Sequence, residues 1–134
     1  MKAIENITTR NSHSKLIEPH PTSEEMKIIY ESALRAPDHA GLHPSQFIEV
    51  TGNGLKKLSD VFLKYANSHI KGLTDKLLYK YENAPYRAPM IIVLICNIRE
   101  HPKVPEIEQM LSTAAAAQNI LLSLHALKYG AIWR

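Results

Sequence analysis

The sequence PEIEQMLSTAAAAQNILLSLHALK, residues 105–128, is the strongest helical pattern in the chain. Pro105 suits the first helical position, acidic residues in the first turn suit the positive end of the helix dipole, and Gly130 is predicted to end the helix as its C′ residue. Residues 114–124 are apolar nearly all round, which predicts a helix buried on most sides. Because one small domain can hardly surround such a helix, the pattern favours an interface between subunits.

Two strands are predicted upstream of this helix. Met90 to Asn97 is continuously apolar, so we expect a strand with both faces buried, and residues 46–51 alternate between apolar and polar as a half-exposed strand does. Residues 52–54, Gly-Asn-Gly, predict a turn. The amphipathic stretch 55–81 predicts helix, which Gly72 could divide in two.

Further elements are predicted at both ends of the chain. Residues 2–9 favour a short helix, and Thr22 with Glu25 forms a capping-box pattern at the start of another, which must end before Pro37. Residues 131–134 predict the beginning of a strand. The resulting order is helix, helix, strand, helix, strand, helix, strand, which indicates a layered α/β or α+β domain.

Composition limits the classes of protein that the chain can represent. It has 134 residues with a net charge of +3, which fits one domain, and its basic residues are scattered rather than clustered as in a nucleic-acid-binding helix. Cys96 is the single cysteine, so no intramolecular disulfide can form. Residues 1–15 contain no apolar signal-peptide core, and residues 90–96 are too few to span a membrane. We therefore expect a cytoplasmic protein.

The usual catalytic and binding motifs are missing from the sequence. There is no G-x-G-x-x-G, no P-loop, no G-x-S-x-G elbow and no Cys/His cluster with zinc spacing, so no metal site is predicted. This pattern is compatible with a cofactor enzyme, because there the cofactor carries the reaction and the protein positions it.

Three polar segments are candidates for binding a phosphate or an aromatic ring: 10–12 (Arg-Asn-Ser), 35–39 (Arg-Ala-Pro-Asp-His) and 132–134 (Ile-Trp-Arg). An arginine fork beside a hydroxyl suits a phosphate or a flavin carbonyl. Each segment also has a purely structural interpretation: a solvated helix end, a helix C-terminus with its turn, and a tryptophan that anchors the core. Periodicity does not decide between these interpretations.

Taken together, the motifs of this chain resemble those of the nitroreductase family. The matching motifs, in chain order, are Arg10-x-Ser12-x-Ser14-Lys15, Arg35-Ala36-Pro37-Asp38-His39, His43-Pro44, Asn83-Ala84-Pro85-Tyr86-Arg87-Ala88-Pro89, Lys103-Val104-Pro105, Glu108-Gln109 and Gly130-Ala131-Ile132-Trp133-Arg134. The resemblance implies an α+β fold in α/β/α layers, with a mixed sheet flanked by helices. It also implies a homodimer with one FMN in each of two sites at the subunit interface.

The resemblance further implies roles for particular residues. Arg10, Asn11 and Ser12 would hold the FMN phosphate and ribityl end, Arg35 and His39 would be contributed by the partner subunit, and Trp133 and Arg134 would begin a further FMN-binding segment. The implied reaction passes hydride from NAD(P)H to FMN and then electrons to nitro compounds, quinones or similar acceptors. A cation, Arg10 or Lys15, would stabilise the reduced flavin.

The chain also departs from the family pattern. Asn11 stands where a second arginine is usual, and residues 43–45, His-Pro-Ser, stand where Gln-Pro-Trp is usual. The resemblance implies one FMN-binding domain over residues 1–134, cut off before its C-terminal strands. The alternative hypothesis is therefore an inactive truncated product or fragment of such an enzyme. A third hypothesis, a basic helical module that binds nucleic acid, is disfavoured by the scattered charge.

Overall fold

The computed structural model describes residues 2–134, so Met1, the first residue of the predicted domain, lies outside the described residues. Five helices and two strands follow one another: α1 (Ala3–Thr9), α2 (Ser23–Ala33), β1 (Ser45–Thr51), α3 (Asn53–His69), α4 (Asp75–Asn83), β2 (Met90–Cys96) and α5 (Glu106–Ala126), with 3₁₀ turns at His39–Gly41 and Pro85–Arg87. The predicted α+β class is confirmed. No helix in residues 2–134 is both long and apolar enough to cross a membrane.

The chain divides into two compact units, each built from separate segments. The first unit contains residues 2–14, Pro21–Ile48 and Leu94–Arg134, and the second contains Lys15–His20 and Glu49–Val93. The prediction that the whole chain is one FMN-binding domain stays a prediction.

The strands β1 and β2 pair in a two-stranded sheet. The backbone N–H of Asn97, after β2, donates to the carbonyl of Pro44, before β1, at 2.7 Å, so the two strands run antiparallel. All seven residues of β2 are only half-buried. The prediction of a strand buried on both faces was therefore wrong for this chain, because β1 alone pairs with β2 among the described residues and the sheet is too narrow to cover it.

The core of the first unit lies between α2 and α5. Ile29 of α2 is completely buried, and Ala116 and Ile120 of α5 are 1% and 4% exposed. On the other side of α5, Ile107 and Leu111 are 57% and 61% exposed. Within the predicted stretch 114–124 every residue except Gln118 is buried or half-buried, so the helix is covered on most sides there as predicted, whereas its first two turns leave one side exposed.

Both predicted ends of α5 require correction. Pro105 is the N-cap with extended backbone (ψ 152), not the first helical residue. At the other end the left-handed C′ residue is Lys128 (φ 68), not Gly130. The N–H of Tyr129 donates to the carbonyl of Leu124 at 2.8 Å, and that of Lys128 donates to the carbonyl of His125 at 3.0 Å. This pair of bonds is a Schellman motif, so the last carbonyls of α5 are satisfied and the chain turns sharply there.

The second unit contains the paired helices α3 and α4. The buried Ser59 of α3 donates its hydroxyl hydrogen to the carbonyl of Glu82 in α4 at 2.7 Å. Gly72 has φ 69 between the two helices, as expected if it divides the helical stretch. The predicted turn at residues 52–54 was wrong in extent: Gly52 has φ 48, but α3 already begins at Asn53.

Candidate functional site

The C-terminal end of α1 is fixed to α5 by two side chains. Asn6 donates from Nδ2 to the carbonyl of Leu122 at 3.0 Å. The hydroxyl of Thr9 lies 3.0 Å from Nε2 of His125, a hydrogen bond whose direction depends on the histidine tautomer. Residues 10–12 follow immediately, so this predicted phosphate-binding segment begins at an anchored point.

Arg10 and Ser12 converge, as a shared ligand would require. Nη1 of Arg10 donates to Oγ of Ser12 at 3.4 Å, while Asn11 uses its side-chain amide locally, donating to the carbonyl of Thr9 at 3.0 Å. The ion pairs within residues 2–134 include His39–Glu108, His43–Asp38 and Lys56–Asp60, and the Arg10 guanidinium pairs with no carboxylate of these residues. Its remaining donors fit a phosphate, which accepts arginine N–H groups in a fork geometry.

The end of the chain joins this segment through a backbone bridge. Ser12 and Ala131 form an isolated parallel β-bridge, in which the N–H of His13 donates to the carbonyl of Ala131 at 3.1 Å. The expected strand at residues 131–134 is thus reduced to one bridge, because the segment pairs with the chain only at this residue. Trp133, two residues later, is 55% exposed and therefore does not anchor the core. Arg134 is also exposed.

Arg35 and His39 lie in a different part of the first unit. Arg35 is exposed in the turn after α2, where its N–H donates to the carbonyl of Ser32 at 3.1 Å. Nδ1 of His39 lies 2.6 Å from Oε2 of Glu108, in the first turn of α5. The turn over residues 38–43, which contains His39, is held by Asp38, whose carboxylate accepts N–H bonds from residues 42 and 43 at 3.1 and 2.8 Å.

The segment of Arg10 and the residue His39 are attached to opposite ends of α5. His39 contacts Glu108, and Thr9, adjacent to Arg10, contacts His125. These contact points are 17 residues apart in a helix, which corresponds to about 25 Å along its axis. The structure therefore brings Arg10, Ser12 and the residues after Ala131 together, and it places His39 at the other end of α5. Arg35 is not at the His39 end, because its N–H donates to the carbonyl of Ser32, and the hydroxyl of Ser32 lies 2.6 Å from that of Ser123 in α5.

A hydrogen bond that no sequence pattern indicated fixes the approach to Trp133. The hydroxyl of Tyr129 donates to Oε2 of Glu25 at 2.9 Å, and the same oxygen accepts the N–H of Thr22 at 2.8 Å in the capping box of α2. Both bonds lower the pKa of Glu25, and the bond from the Thr22 backbone contributes most. The hydrogen bond to the Glu25 carboxylate in turn raises the pKa of Tyr129. The predicted capping box is confirmed. The bond from Tyr129 to Glu25 joins residues that are 104 positions apart, so no local sequence pattern indicated it.

The second unit has a different surface feature. An open cavity of about 300 Å³ lies between α3 and α4, with Lys56, Tyr79 and Tyr86 in its lining, and it contains none of the predicted cofactor residues. Residues 2–134 contain no group of three or more His, Cys, Asp or Glu side chains arranged to hold a metal ion.

Residues 7–134 match the Nitroreductase family. The chain belongs to this family. It is 37% identical over 134 residues to an Escherichia coli (strain K12) protein named putative NAD(P)H nitroreductase YdjA, covering 100% of this chain and 72% of that protein. Membership of the family supports an oxidoreductase role.

Solved structures share the fold of this nitroreductase-family chain. A nitroreductase-like family protein from Bacillus cereus superposes with a TM-score of 0.81 at 22% identity, covering 100% of this chain and 70% of that one. The FMN-dependent nitroreductase NfnB from Mycobacterium smegmatis, solved in complex with NADPH, gives a TM-score of 0.69 at 18% identity and covers 93% of this chain and 70% of that one. At these identities the likeness establishes the fold, and it confirms the nitroreductase-like α+β architecture.

Proposed function

We propose that this chain is an FMN-dependent oxidoreductase that transfers hydride from NAD(P)H through FMN to nitro compounds, quinones or similar acceptors. The observation that carries the proposal is the bridge between Ser12 and Ala131, which joins two segments that the family resemblance assigns to FMN. Family membership and the FMN-dependent, NADPH-bound relative NfnB add support.

In this proposal Arg10 and Ser12 hold the FMN phosphate. The guanidinium supplies charge-assisted N–H donors, and the serine hydroxyl that it contacts at 3.4 Å supplies another donor. Asn11 binds the FMN through its backbone or through its side-chain amide, which would then exchange its hydrogen bond to the carbonyl of Thr9 for one to the ligand. The pairing of α1 with α5 stabilises this arrangement before any ligand arrives.

Trp133 and Arg134 would extend the site from the phosphate towards the flavin ring. An exposed indole can flank an aromatic ring, and an exposed guanidinium can hold a carbonyl or phosphate oxygen. When bound, FMN would supply the two-electron chemistry that the protein's own side chains lack. The task of the protein is to orient that ring and to keep a cation near it.

The proposed active unit is a homodimer in which Arg35 and His39 complete the partner's site. For His39 the separation of about 25 Å along α5 supports this, because one chain presents His39 and the segment of Arg10 at opposite ends of the same helix. For Arg35 the assignment rests on the family resemblance. Exposed apolar side chains on the same unit offer a surface for the partner: Ile4, Ile7, Ile107, Met110 and Leu111. Ile107, Met110 and Leu111 lie within five residues of one another in α5, and exposed apolar patches of this kind are typical of subunit interfaces.

The test is to incubate the purified chain with FMN, remove unbound flavin by gel filtration and record the absorbance spectrum of the eluted species. We expect flavin bands that co-elute with a dimer and that bleach when NADH or NADPH is added without oxygen. A colourless protein would contradict the proposal and favour the alternative of a non-catalytic fragment.

The variant Arg10→Ala locates the site. Because it removes a charge-assisted contact to phosphate, we expect FMN affinity to fall by about 1.5–3 kcal/mol, roughly 10- to 150-fold. Arg99→Ala is the matched control, since Arg99 is an exposed arginine of the same unit at which no FMN contact is proposed. Equal FMN retention by the two variants would remove Arg10 from the site.

A further inference from the structure

The segment that carries Trp133 and Arg134 has no helix or strand of its own. After α5 ends, residues 129–134 form only a single-residue bridge at Ala131. The direction of such a segment depends on the few bonds that fix it. Since it precedes two proposed cofactor residues, those bonds determine how well the site is formed before the ligand binds.

One of these bonds comes from Tyr129. The Schellman motif at the end of α5 places the tyrosine, and its hydroxyl then donates to Oε2 of Glu25 at 2.9 Å. Glu25 is a rigid acceptor, because Oε2 also accepts the backbone N–H and the hydroxyl of Thr22 at 2.8 and 3.0 Å. The tyrosine is therefore fixed to the first turn of α2, not to a mobile side chain.

The second bond lies two residues further along. The carbonyl of Ala131 accepts the N–H of His13 at 3.1 Å, beside Ser12. Two attachments, at residues 129 and 131, define the direction of the backbone, whereas one attachment alone leaves it able to pivot. Trp133 follows the second attachment by two residues, so the direction of the backbone at Ala131 limits where the indole can lie.

We propose that Tyr129 and Glu25 are positioning residues: their hydrogen bond holds residues 131–134 in register with residues 10–12, so that Trp133 and Arg134 are preorganised for the ligand. The part of this inference that concerns FMN rests on the proposed function. The positioning itself is a property of the chain without any ligand, and it can be measured separately.

Trp133 is the single tryptophan of the sequence, so its fluorescence reports directly on this segment. The test compares Tyr129→Phe with the unmodified chain, both free of flavin, by acrylamide quenching and by fluorescence anisotropy. Phe keeps the ring and removes the hydroxyl. Tyr79→Phe, which removes the hydroxyl of a tyrosine that is 66% exposed in the second unit, is the control.

We expect Tyr129→Phe to lower the fluorescence anisotropy of Trp133 and to raise its acrylamide quenching constant, because the segment loses one of its two attachments, and we expect Tyr79→Phe to leave both unchanged. The Kd for FMN should rise about three- to tenfold, for the same reason. Glu25→Gln, which keeps an acceptor for both Thr22 and Tyr129, should behave like the unmodified chain in both measurements.

Several results would overturn the inference. Identical quenching and anisotropy in Tyr129→Phe and in the unmodified chain would contradict it. If Tyr129→Phe also had a lower thermal midpoint, the hydrogen bond would stabilise the fold without positioning Trp133. If the unmodified chain binds no FMN, the proposed function fails while the flavin-free fluorescence still decides the positioning. If it binds FMN and Tyr129→Phe binds it equally well, preorganisation fails while the proposed function stands.

Discussion

The two compact units differ in the sequence separation of the side chains that hold them together. In the first unit, several side-chain hydrogen bonds join residues between 68 and 116 positions apart, among them Ser45–Thr113, Ser32–Ser123 and Thr9–His125. In the second unit, side-chain bonds of the i, i+4 type are frequent, among them Lys56–Asp60 and Asn67–Leu63, and the bond from Ser59 to Glu82 spans 23 positions. All seven predicted cofactor residues belong to the first unit.

This difference shows where precise positioning is concentrated. A site that must hold a ligand needs side chains fixed by supporting contacts, and the first unit supplies them from distant parts of the chain. The second unit resembles a helix pair whose geometry follows from local preferences. The comparison predicts that substitutions of buried supporting residues in the first unit are the more damaging.

The largest effect is expected for Ile29→Ala in the core of the first unit. Ile29 is completely buried between α2 and α5, so the substitution removes apolar contacts and leaves a cavity, at a cost of about 2–5 kcal/mol in the free energy of unfolding. Urea denaturation followed by circular dichroism measures it. Ile28→Ala, at a neighbouring position that is 57% exposed, should cost far less. Similar costs for both variants would contradict the packing of α2 on α5.

A smaller effect is expected for Gln109→Ala. The side chain of Gln109 is 2% exposed and pairs with both backbone groups of Arg99, accepting from its N–H at 2.9 Å and donating to its carbonyl at 2.8 Å. Loss of both bonds should cost about 1–3 kcal/mol of unfolding free energy. The exposed Gln118 of the same helix is the control. A Gln109→Ala variant as stable as Gln118→Ala would show that water replaces these bonds.

The second unit offers a direct counterpart in Ser59→Ala. This removes the bond to the carbonyl of Glu82 that links α3 to α4, so we expect a loss of about 1 kcal/mol, the net value of one hydrogen bond. Ser68→Ala, at an exposed position of α3, controls for the change in helix propensity. If Ser59→Ala cost more than Gln109→Ala, the contrast between the two units would fail.

What could be predicted from the sequence follows the same division. Local signals predicted the helices and the strands β1 and β2 to within a few residues, because capping residues, alternation and glycines act over one or two turns; the Thr22–Glu25 box and the break at Gly72 are examples. The strand predicted at residues 131–134 is only a single bridge. The left-handed residue after α5 was misassigned to Gly130, since glycine is the usual residue there and Lys128 adopts that conformation only within the complete Schellman motif.

The residues of the candidate site could be predicted from the sequence, but their contacts could not. Residues 10–12 and 132–134 were singled out by their chemistry and by the family resemblance, but their contact through the Ser12–Ala131 bridge depends on how α1 and α5 pack. Tyr129 was overlooked because nothing near it in sequence marks its bond to Glu25, 104 residues away. Long-range pairs of this kind leave no periodic pattern, so only the folded chain reveals them.

The smallest expected effect is a pH dependence that originates at Glu25. Hydrogen bonds from the Thr22 backbone and from Tyr129 lower the pKa of this carboxyl below its ordinary value of 4.5, so the folded state favours the ionised form. Its contribution to stability is present above pH 4.5 and is lost as the pH falls through the lowered pKa, because the unfolded chain takes up the proton first.

The free energy of unfolding should therefore fall more steeply on acidification in the unmodified chain than in Glu25→Gln, whose amide does not titrate. Urea titrations at a series of pH values from about 6 to 3 give the difference, since that interval brackets the ordinary carboxyl pKa. Glu24→Gln controls for the loss of one negative charge in the same helical turn. Parallel acid profiles for the unmodified chain and Glu25→Gln would mean that the bonds from Thr22 and Tyr129 do not favour the carboxylate.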